Sequence, residues 1–139
     1  MYLLDTNVVS ELRKVRTGKA DARVAAWADS VETADLFISV ITIQELEIGV
    51  RLSERRDASQ GSVLRHWLDK QVLPAFAGRV LSVDTAIALR SAPLHVPNPS
   101  PVRDGLIAAT ALVHKLIVVT RNVTDFEASG VVTLNPWAG

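Results

Sequence analysis

The sequence contains no cysteine, and this absence limits the chemistry that the chain can carry out. Without thiols, disulfide bonds, thiolate metal sites and a cysteine nucleophile are all excluded. The three histidines, His66, His95 and His114, lie far apart in the sequence and form no HExxH motif or other paired ligand set. Any metal or catalytic chemistry is therefore expected to depend on oxygen ligands.

Long hydrophobic runs and an excess of charge are also missing. No apolar stretch approaches the roughly 20 residues that span a bilayer, and no basic region leads into an apolar signal core, so we expect a cytoplasmic protein without membrane association. The 15 basic and 15 acidic residues cancel, which argues against nucleic-acid binding through bulk positive charge but does not exclude a nuclease. The length, without any low-complexity linker, fits a single domain over residues 1–139.

Apolar segments alternate between strand-like and helix-like patterns along the chain. Short apolar runs predict five strands, at residues 2–5, 36–40, 80–83, 117–120 and 131–134. Helical spacing of apolar residues predicts helices at residues 8–12, 20–31, 42–56, 64–72, 84–92 and 101–115. Thr6 is expected to cap the first of these helices and Ser100 the last, which would have Pro101 at its first position. The alternation indicates an α/β fold, in which helices cover both faces of a parallel sheet.

Asp5 directly follows the first predicted strand. Open parallel sheets bind ligands just beyond the carboxyl ends of their strands, so a carboxylate at this point is a candidate functional group. The alternative is that Asp5 only caps the following helix, a role that Asp fills well. Thr6 or Asn7 could also fill that role, so an acid at the strand end exceeds what capping requires.

Glu45 lies near the start of the helix that follows the second strand, and that helix begins at the same edge of the sheet. The run from Thr42 to Glu45 also fits a capping box, in which the Glu side chain bonds the N-cap amide. Both interpretations of Glu45 stay open on the sequence alone.

Three further polar residues follow later strands. Asp104 falls in the first turns of a helix, where a negative charge interacts favourably with the helix dipole. The small residues that follow it, beginning with Gly105, permit close approach of another element. Asn122 and Asp125 come after the fourth strand, where they could equally be an N-cap and its partner three residues on.

Four acids at one edge of one sheet, Asp5, Glu45, Asp104 and Asp125, are hard to explain as four separate caps. Carboxylates gathered in a cleft repel each other, and a divalent cation relieves that repulsion. Hard oxygen ligands without His or Cys favour Mg²⁺ or Mn²⁺ over zinc. Such a site suits hydrolysis of a phosphodiester such as RNA, and the cation can attract the substrate to an uncharged protein.

These residues resemble a known family. The segments LLDTNVVSEL, ITIQELEIGV, VRDGLIAATALVHKLIVVTRNVTDF and the ending NPW look like a PIN-domain ribonuclease, specifically a VapC or FitB-like toxin of a type II toxin–antitoxin pair, over essentially the whole chain. The resemblance implies a three-layer fold with a five-stranded parallel sheet and a Mg²⁺- or Mn²⁺-dependent endoribonuclease. It also implies a small cognate antitoxin and a homodimer.

The resemblance assigns roles to particular residues. Asp5 and Asp104 match the principal metal-binding aspartates of the family, and Glu45 matches the acid of its third helix. Many PIN domains have an aspartate where this chain has Asn122, so the fourth position offers an amide without negative charge. Asp125, one turn further on, is the candidate to compensate.

Other classes are less consistent with the motifs. A phospho-acceptor receiver module could use Asp84 after the third strand, but it needs paired acids near the first strand and a late lysine, which DTN and TRN do not supply. A haloacid-dehalogenase-like phosphatase needs an acid where Asn7 stands. A PIN-fold binding module with a weakened, non-cleaving site is the non-enzymatic alternative.

Three tryptophans in a small apolar chain, Trp27, Trp67 and Trp137, predict aromatic surface that is covered either by a partner or by the monomer's own core.

Overall fold

The structure of the protein is a computed structural model that describes residues 1–138. The described residues form five strands: β1 (Tyr2–Leu4), β2 (Leu36–Ser39), β3 (Val80–Leu81), β4 (Ile117–Val119) and β5 (Thr133–Leu134). The same part of the chain contains seven α-helices: α1 (Thr6–Leu12), α2 (Ala22–Ser30), α3 (Val40–Arg56), α4 (Ala58–Trp67), α5 (Leu73–Ala75), α6 (Thr85–Ser91) and α7 (Val102–His114). A wider helical turn (Leu68–Val72) joins α4 to α5, and short 3₁₀ segments cover Val15–Thr17, Thr33–Asp35, Ala92–His95 and Val123–Ser129.

The strands form one parallel sheet in the order β3-β2-β1-β4-β5, with β1 at its centre. Tyr2 pairs with Leu36 on one side and with Ile117 on the other. The chain first extends the sheet from β1 towards β3 and then crosses back to add β4 on the opposite side of β1. Such a reversal opens a crevice outside the carboxyl ends of β1 and β4, where ligands of α/β proteins bind.

Two apolar cores cover the two faces of the sheet. Leu4 and Val119, which are paired neighbours on β1 and β4, contribute to the core formed with α1, α2, α3 and α4. Leu3 and Val118 belong to the second core, which α7 and Phe126 complete. Because successive strand residues point to opposite faces, the continuous apolar runs of β1 and β4 serve both cores. The predicted α/β fold with a five-stranded parallel sheet and helices on both faces is confirmed.

Helices α3 and α4 pack closely against each other. A Cβ added at Gly61 would lie 2.5 Å from the backbone Cα of Glu54, so only glycine fits at this crossing. Beside it, Arg65 donates hydrogen bonds to both carboxylate oxygens of Glu47 at 2.7 and 2.8 Å and to Glu54 at 3.1 Å. The two bonds from Arg65 to Glu47 are the main reason that the pKa of Glu47 falls from its ordinary 4.5 to about 2. The close fit at Gly61 and the ion pairs of Arg65 therefore both hold α3 against α4.

Several predicted helix starts are wrong, for identifiable reasons. Ser100 does not cap the last helix, because its hydroxyl instead donates to the carbonyl of Leu94 and α7 begins at Val102 without a side-chain cap. The fourth helix begins at Ala58, six residues before the predicted position 64, because Asp57 accepts hydrogen bonds from the amides that follow it. Thr6 is the first residue of α1 and not its cap, which is Asp5.

The tryptophans lie in or against the monomer's own core. Trp67 and Trp137 are 9% and 7% exposed, and Trp27 packs edge-on against Tyr2 with ring centroids 5.3 Å apart. Of the two explanations offered for this aromatic content, burial in the monomer is the one that the structure supports. Within residues 1–138, no helix combines the length and the apolar character needed to cross a bilayer.

Candidate active site

Asp5 lies at the end of β1 and at the N-cap of α1, so the chain passes from strand to helix at this carboxylate. Its Oδ1 accepts the amide of Thr6 at 2.8 Å, which is a genuine capping bond. Its Oδ2 accepts a hydrogen bond from the hydroxyl of Thr120 at 2.8 Å and a longer one from the side-chain Nδ2 of Asn7 at 3.3 Å. Capping therefore uses one oxygen, while the other is fixed by the neighbouring strand end.

Thr120 connects the ends of β1 and β4. Its fully buried hydroxyl donates to Asp5 and accepts the backbone amide of Asn122 at 3.0 Å. Asn7 strengthens the same connection, because its Oδ1 accepts the amide of Arg121 at 3.2 Å. Thr120 and Asn7 were not among the predicted site residues. The signal for both was present in the sequence, since each lies two positions from a predicted site residue in the motifs DTN and TRN.

Glu45 lies inside α3 and does not cap it. The helix begins at Val40, where the hydroxyl of Ser39 accepts the amide of Ile41 at 3.0 Å, so the capping-box interpretation is wrong. Glu45 Oε1 instead accepts the hydroxyl of Thr6 at 2.7 Å, across 39 positions of sequence. Its Oε2 lies 3.7 Å from Nη1 of Arg103. The side chain therefore points towards the crevice where α1, α3 and α7 meet.

Asp104 lies in the first turn of α7, as predicted. Its pKa is raised to about 6, first by burial and then by the negative charges of Asp5, Asp125 and Glu45. Next to it, a Cβ at Gly105 would lie 2.8 Å from Nε2 of His95, which confirms the close approach expected from the small residues here. Burial of Asp104, together with the acids around it, outweighs the favourable effect of the helix dipole on its ionised form.

Asn122 and Asp125 lie on the exposed rim beyond β4. Asn122 takes the N-cap position of the 3₁₀ segment Val123–Ser129, as one interpretation predicted, but its side chain makes no capping hydrogen bond there. Asp125 contributes through its charge, which raises the pKa of both Asp5 and Asp104.

Asp5, Glu45, Asp104 and Asp125 form what we call the acid cluster. Burial is the main reason that the pKa of Asp5 is raised, and Glu45 and Asp125 raise it further. Within residues 1–138, no three acidic or histidine side chains lie close enough together to hold a metal ion in the present side-chain conformations. The chemistry of the cluster nevertheless fits a divalent cation, because its donors are carboxylates and their mutual repulsion is only partly offset by Arg103.

Comparison with known proteins gives a consistent result. The family model of the PIN domain matches residues 2–128. The chain is 39% identical to "Toxin FitB" of Neisseria gonorrhoeae, over 99% of each chain. It is 38% identical to "VapC ribonuclease Y4jK" of Sinorhizobium fredii, over 99% of this chain and 98% of the relative.

Solved structures agree with the sequence comparison. A crystal structure described as "FitAcB from Neisseria gonorrhoeae" superposes with a TM-score of 0.88 at 39% identity and covers 99% of both chains. The structure described as "FitAB bound to IR36 DNA fragment" gives a TM-score of 0.87 at 37% identity, over 99% of this chain and 96% of the other. The similarity therefore extends over the sheet, both helical layers and the crevice that holds the acid cluster.

Proposed function

The chain belongs to the PIN domain family, and on that premise we propose that it is a Mg²⁺- or Mn²⁺-dependent endoribonuclease that acts as the toxin of a type II toxin–antitoxin pair. PIN ribonucleases depend in general on a divalent metal, and relatives of this chain are named as toxins and ribonucleases. The observation that carries the proposal is the acid cluster, in which burial and three neighbouring carboxylates raise the pKa of Asp104 to about 6.

We assign the metal to Asp5, Glu45 and Asp104, with Asn122 and Asp125 as further catalytic residues at the rim. A bound divalent cation would supply Lewis acidity for hydrolysis of an RNA phosphodiester. Thr120 and the amide of Thr6 fix the two oxygens of Asp5, and the hydroxyl of Thr6 fixes Glu45. The chain thus holds two of the three proposed ligands in place before any substrate binds, which reduces the reorganisation that binding requires.

Cleavage of a single-stranded RNA by the purified protein tests this function. We expect cleavage with Mg²⁺ or Mn²⁺, none with a chelator, and a loss of several orders of magnitude in Asp5→Asn. Sequencing the ends of the products identifies the bonds that are cut. Wild-type protein that binds the metal but leaves every RNA intact would favour the second candidate.

That second candidate is a PIN-fold binding module whose site no longer cleaves. One observation favours it, namely that an uncharged Asn122 stands where many PIN domains have an acid. A binding module would retain RNA without cutting it, and Asp5→Asn would leave its affinity for RNA nearly unchanged or higher, since a negative charge is lost.

We also propose a cytoplasmic, single-domain protein over residues 1–139 that forms a homodimer and binds a small cognate antitoxin. The similarity to FitB, whose solved structures include one with DNA bound, supports the toxin–antitoxin assignment. Light scattering should give a mass of twice the 15.1 kDa of one chain. A monomer at all accessible concentrations would contradict the dimer and leave the ribonuclease proposal standing.

A further inference from the structure

Arg103 is a cation placed directly at the acid cluster. Its Nη1 lies 3.7 Å from Oε2 of Glu45, and it directly precedes Asp104 in α7. Among the ion pairs formed within residues 1–138, this is the one that reaches the cluster. The guanidinium therefore partly neutralises a group of carboxylates that otherwise repel each other.

The two partners of this ion pair differ in how firmly they are held. Glu45 is anchored through its other oxygen, which accepts the hydroxyl of Thr6 at 2.7 Å. The side chain of Arg103 is 49% exposed, and its distance to Glu45 is longer than a hydrogen bond. Exposed ion pairs of this kind contribute little free energy. Arg103 can therefore leave while Glu45 stays in position.

We propose that Arg103 is an exchangeable counter-ion of the site, an inference that rests on the proposed function. In the metal-free protein Arg103 pairs with Glu45, and it competes there with the divalent cation. When the cation binds, the guanidinium is released and contacts a phosphate of the RNA. Arginine suits this second role because its planar fork binds phosphate oxygens in a bidentate manner.

The proposal assigns Arg103 opposite effects on two ligands. Removing its charge eliminates a competitor of the cation, so metal affinity should rise. The same change removes a phosphate contact, so RNA affinity should fall. If Arg103 served only to join α3 to α7, its removal would loosen the site. The cation and the RNA would then both bind less well.

Metal binding is measured by titrating Mn²⁺ into the protein in a calorimeter at low salt, without RNA. We expect Arg103→Gln to bind Mn²⁺ about three- to tenfold more tightly than wild type, and the difference to shrink as salt is added. Arg103→Lys keeps the charge and should stay closer to wild type. The matched control is Arg55→Gln. Arg55 is an exposed cation about 15 Å beyond Glu45 along α3. Its loss should change the affinity for Mn²⁺ less than about twofold.

RNA binding is measured by fluorescence anisotropy with a labelled, single-stranded phosphorothioate RNA, which keeps the backbone charge, in saturating Mn²⁺. A gel confirms that the probe stays intact. We expect Arg103→Gln to bind this RNA about three- to tenfold more weakly, since one charge-assisted phosphate contact is lost. Arg103→Lys should show an intermediate loss, and Arg55→Gln should bind like wild type.

The outcomes separate this inference from the function on which it rests. Wild-type protein that binds no Mn²⁺ would overturn both. If wild-type protein bound Mn²⁺ as tightly as Arg103→Gln or more tightly, the counter-ion role alone would be overturned. Tighter Mn²⁺ binding with unchanged RNA binding would overturn the phosphate contact.

Discussion

Asp104 is the residue at which local and tertiary electrostatics oppose each other. Its place in the first turn of α7 favours the ionised form through the helix dipole. Burial and the charges of Asp5, Asp125 and Glu45 act in the opposite direction and prevail, because the pKa rises to about 6. A residue whose only role was to complement a helix dipole would show the reverse shift.

The substitution Asp104→Asn separates these two roles. If the dipole were the reason for the residue, the variant would lose about 0.3–1 kcal/mol of stability and keep any nuclease activity. If Asp104 holds the cation, the variant relieves carboxylate repulsion, so the metal-free protein should be equally or more stable while RNA cleavage falls by orders of magnitude. Thermal melting and a cleavage assay measure the two effects. A destabilised Asp104→Asn that cuts RNA at the wild-type rate would contradict the proposed ligand role.

Two rim variants test the fourth position of the site. Asn122→Ala should reduce cleavage less than Asp104→Asn does, because a neutral amide binds a cation more weakly than a carboxylate. Asp125→Asn should reduce cleavage more than Asn122→Ala if Asp125 takes the place of the acid that Asn122 lacks. The reverse order would assign the fourth position to Asn122.

At the residue scale, the sequence could place the acids but not their partners. Asp5 and Asp104 follow from the rule that strand ends and helix starts share one edge of a parallel sheet. The bond between Glu45 and Thr6 joins residues 39 positions apart, and local patterns favoured a capping box instead. The capping alternative depended on a helix start at 42, whereas the hydroxyl of Ser39 caps the helix and it begins at Val40.

At the element scale, the crossing of α3 and α4 leaves no room for a side chain at Gly61. A Cβ at Gly61 would meet backbone atoms of Glu54 at 2.5 and 2.8 Å, and backbone cannot rotate away as a side chain can. Gly49 lies on α3 with nothing within 4 Å of its added Cβ. The two glycines therefore provide a matched pair within one helical hairpin.

Replacing each of these glycines with alanine should change stability in opposite directions. Gly61→Ala should lower the free energy of unfolding by about 1–3 kcal/mol, because the helices must separate. Gly49→Ala should raise it by about 0.5–1 kcal/mol through helix propensity alone. Urea denaturation of both variants measures the difference. Equal effects of the two substitutions would show that the helices adjust without cost.

The ion pairs across the same crossing predict how the hairpin responds to acid. Hydrogen bonds from Arg65 lower the pKa of Glu47 to about 2 from its ordinary 4.5, so the stabilisation is complete above pH 4.5 and is lost as the pH falls towards about 2. Glu47→Gln should therefore lower the melting temperature at neutral pH. The gap to wild type should narrow as the pH falls below 4.5, as melting curves across that range would show. A gap that did not depend on pH would indicate lost packing rather than lost charge.

Element order was predictable because strand and helix patterns alternate over the whole chain, while element boundaries were not. Strands β3 and β5 are two residues each, although the apolar runs cover four. Strand β3 ends at Leu81 because its partner Ser39 is the last residue of β2, and the chain turns into α3 beyond it. Helix α4 begins early because Asp57 caps it, and Asp57 lies outside the apolar repeat from which the helix start was predicted. Local periodicity detects the buried face of an element and not the hydrogen bonds that end it.

At the scale of the whole molecule, the net charge is zero, but ionised acids at different places have opposite effects on the stability of the fold. Glu47 stabilises the folded state when it is ionised, because cations surround it. The raised pKa values of Asp5 and Asp104 mean that ionising these acids costs folding free energy. The protein thus keeps an unfavourable charge distribution at one edge of its sheet, as expected of a functional site rather than of a structural one.

Metal binding should offset the free-energy cost of ionising these acids and stabilise the folded protein, and the size of this effect should depend on pH. The pKa of Asp104 is 3.8 in the ordinary case and about 6 in the folded chain, so without metal the stability that this residue contributes falls as the pH rises between these values. A cation binds the ionised form, and at about a hundredfold excess over its Kd it adds about 2.7 kcal/mol. We therefore expect millimolar Mg²⁺ or Mn²⁺ to raise the melting temperature by several degrees above pH 7 and much less near pH 5. Glu47→Gln should keep this increase, and Asp104→Asn should lose most of it. The absence of any shift in wild type above pH 7, together with no heat of binding in the calorimeter, would remove the metal site from this protein.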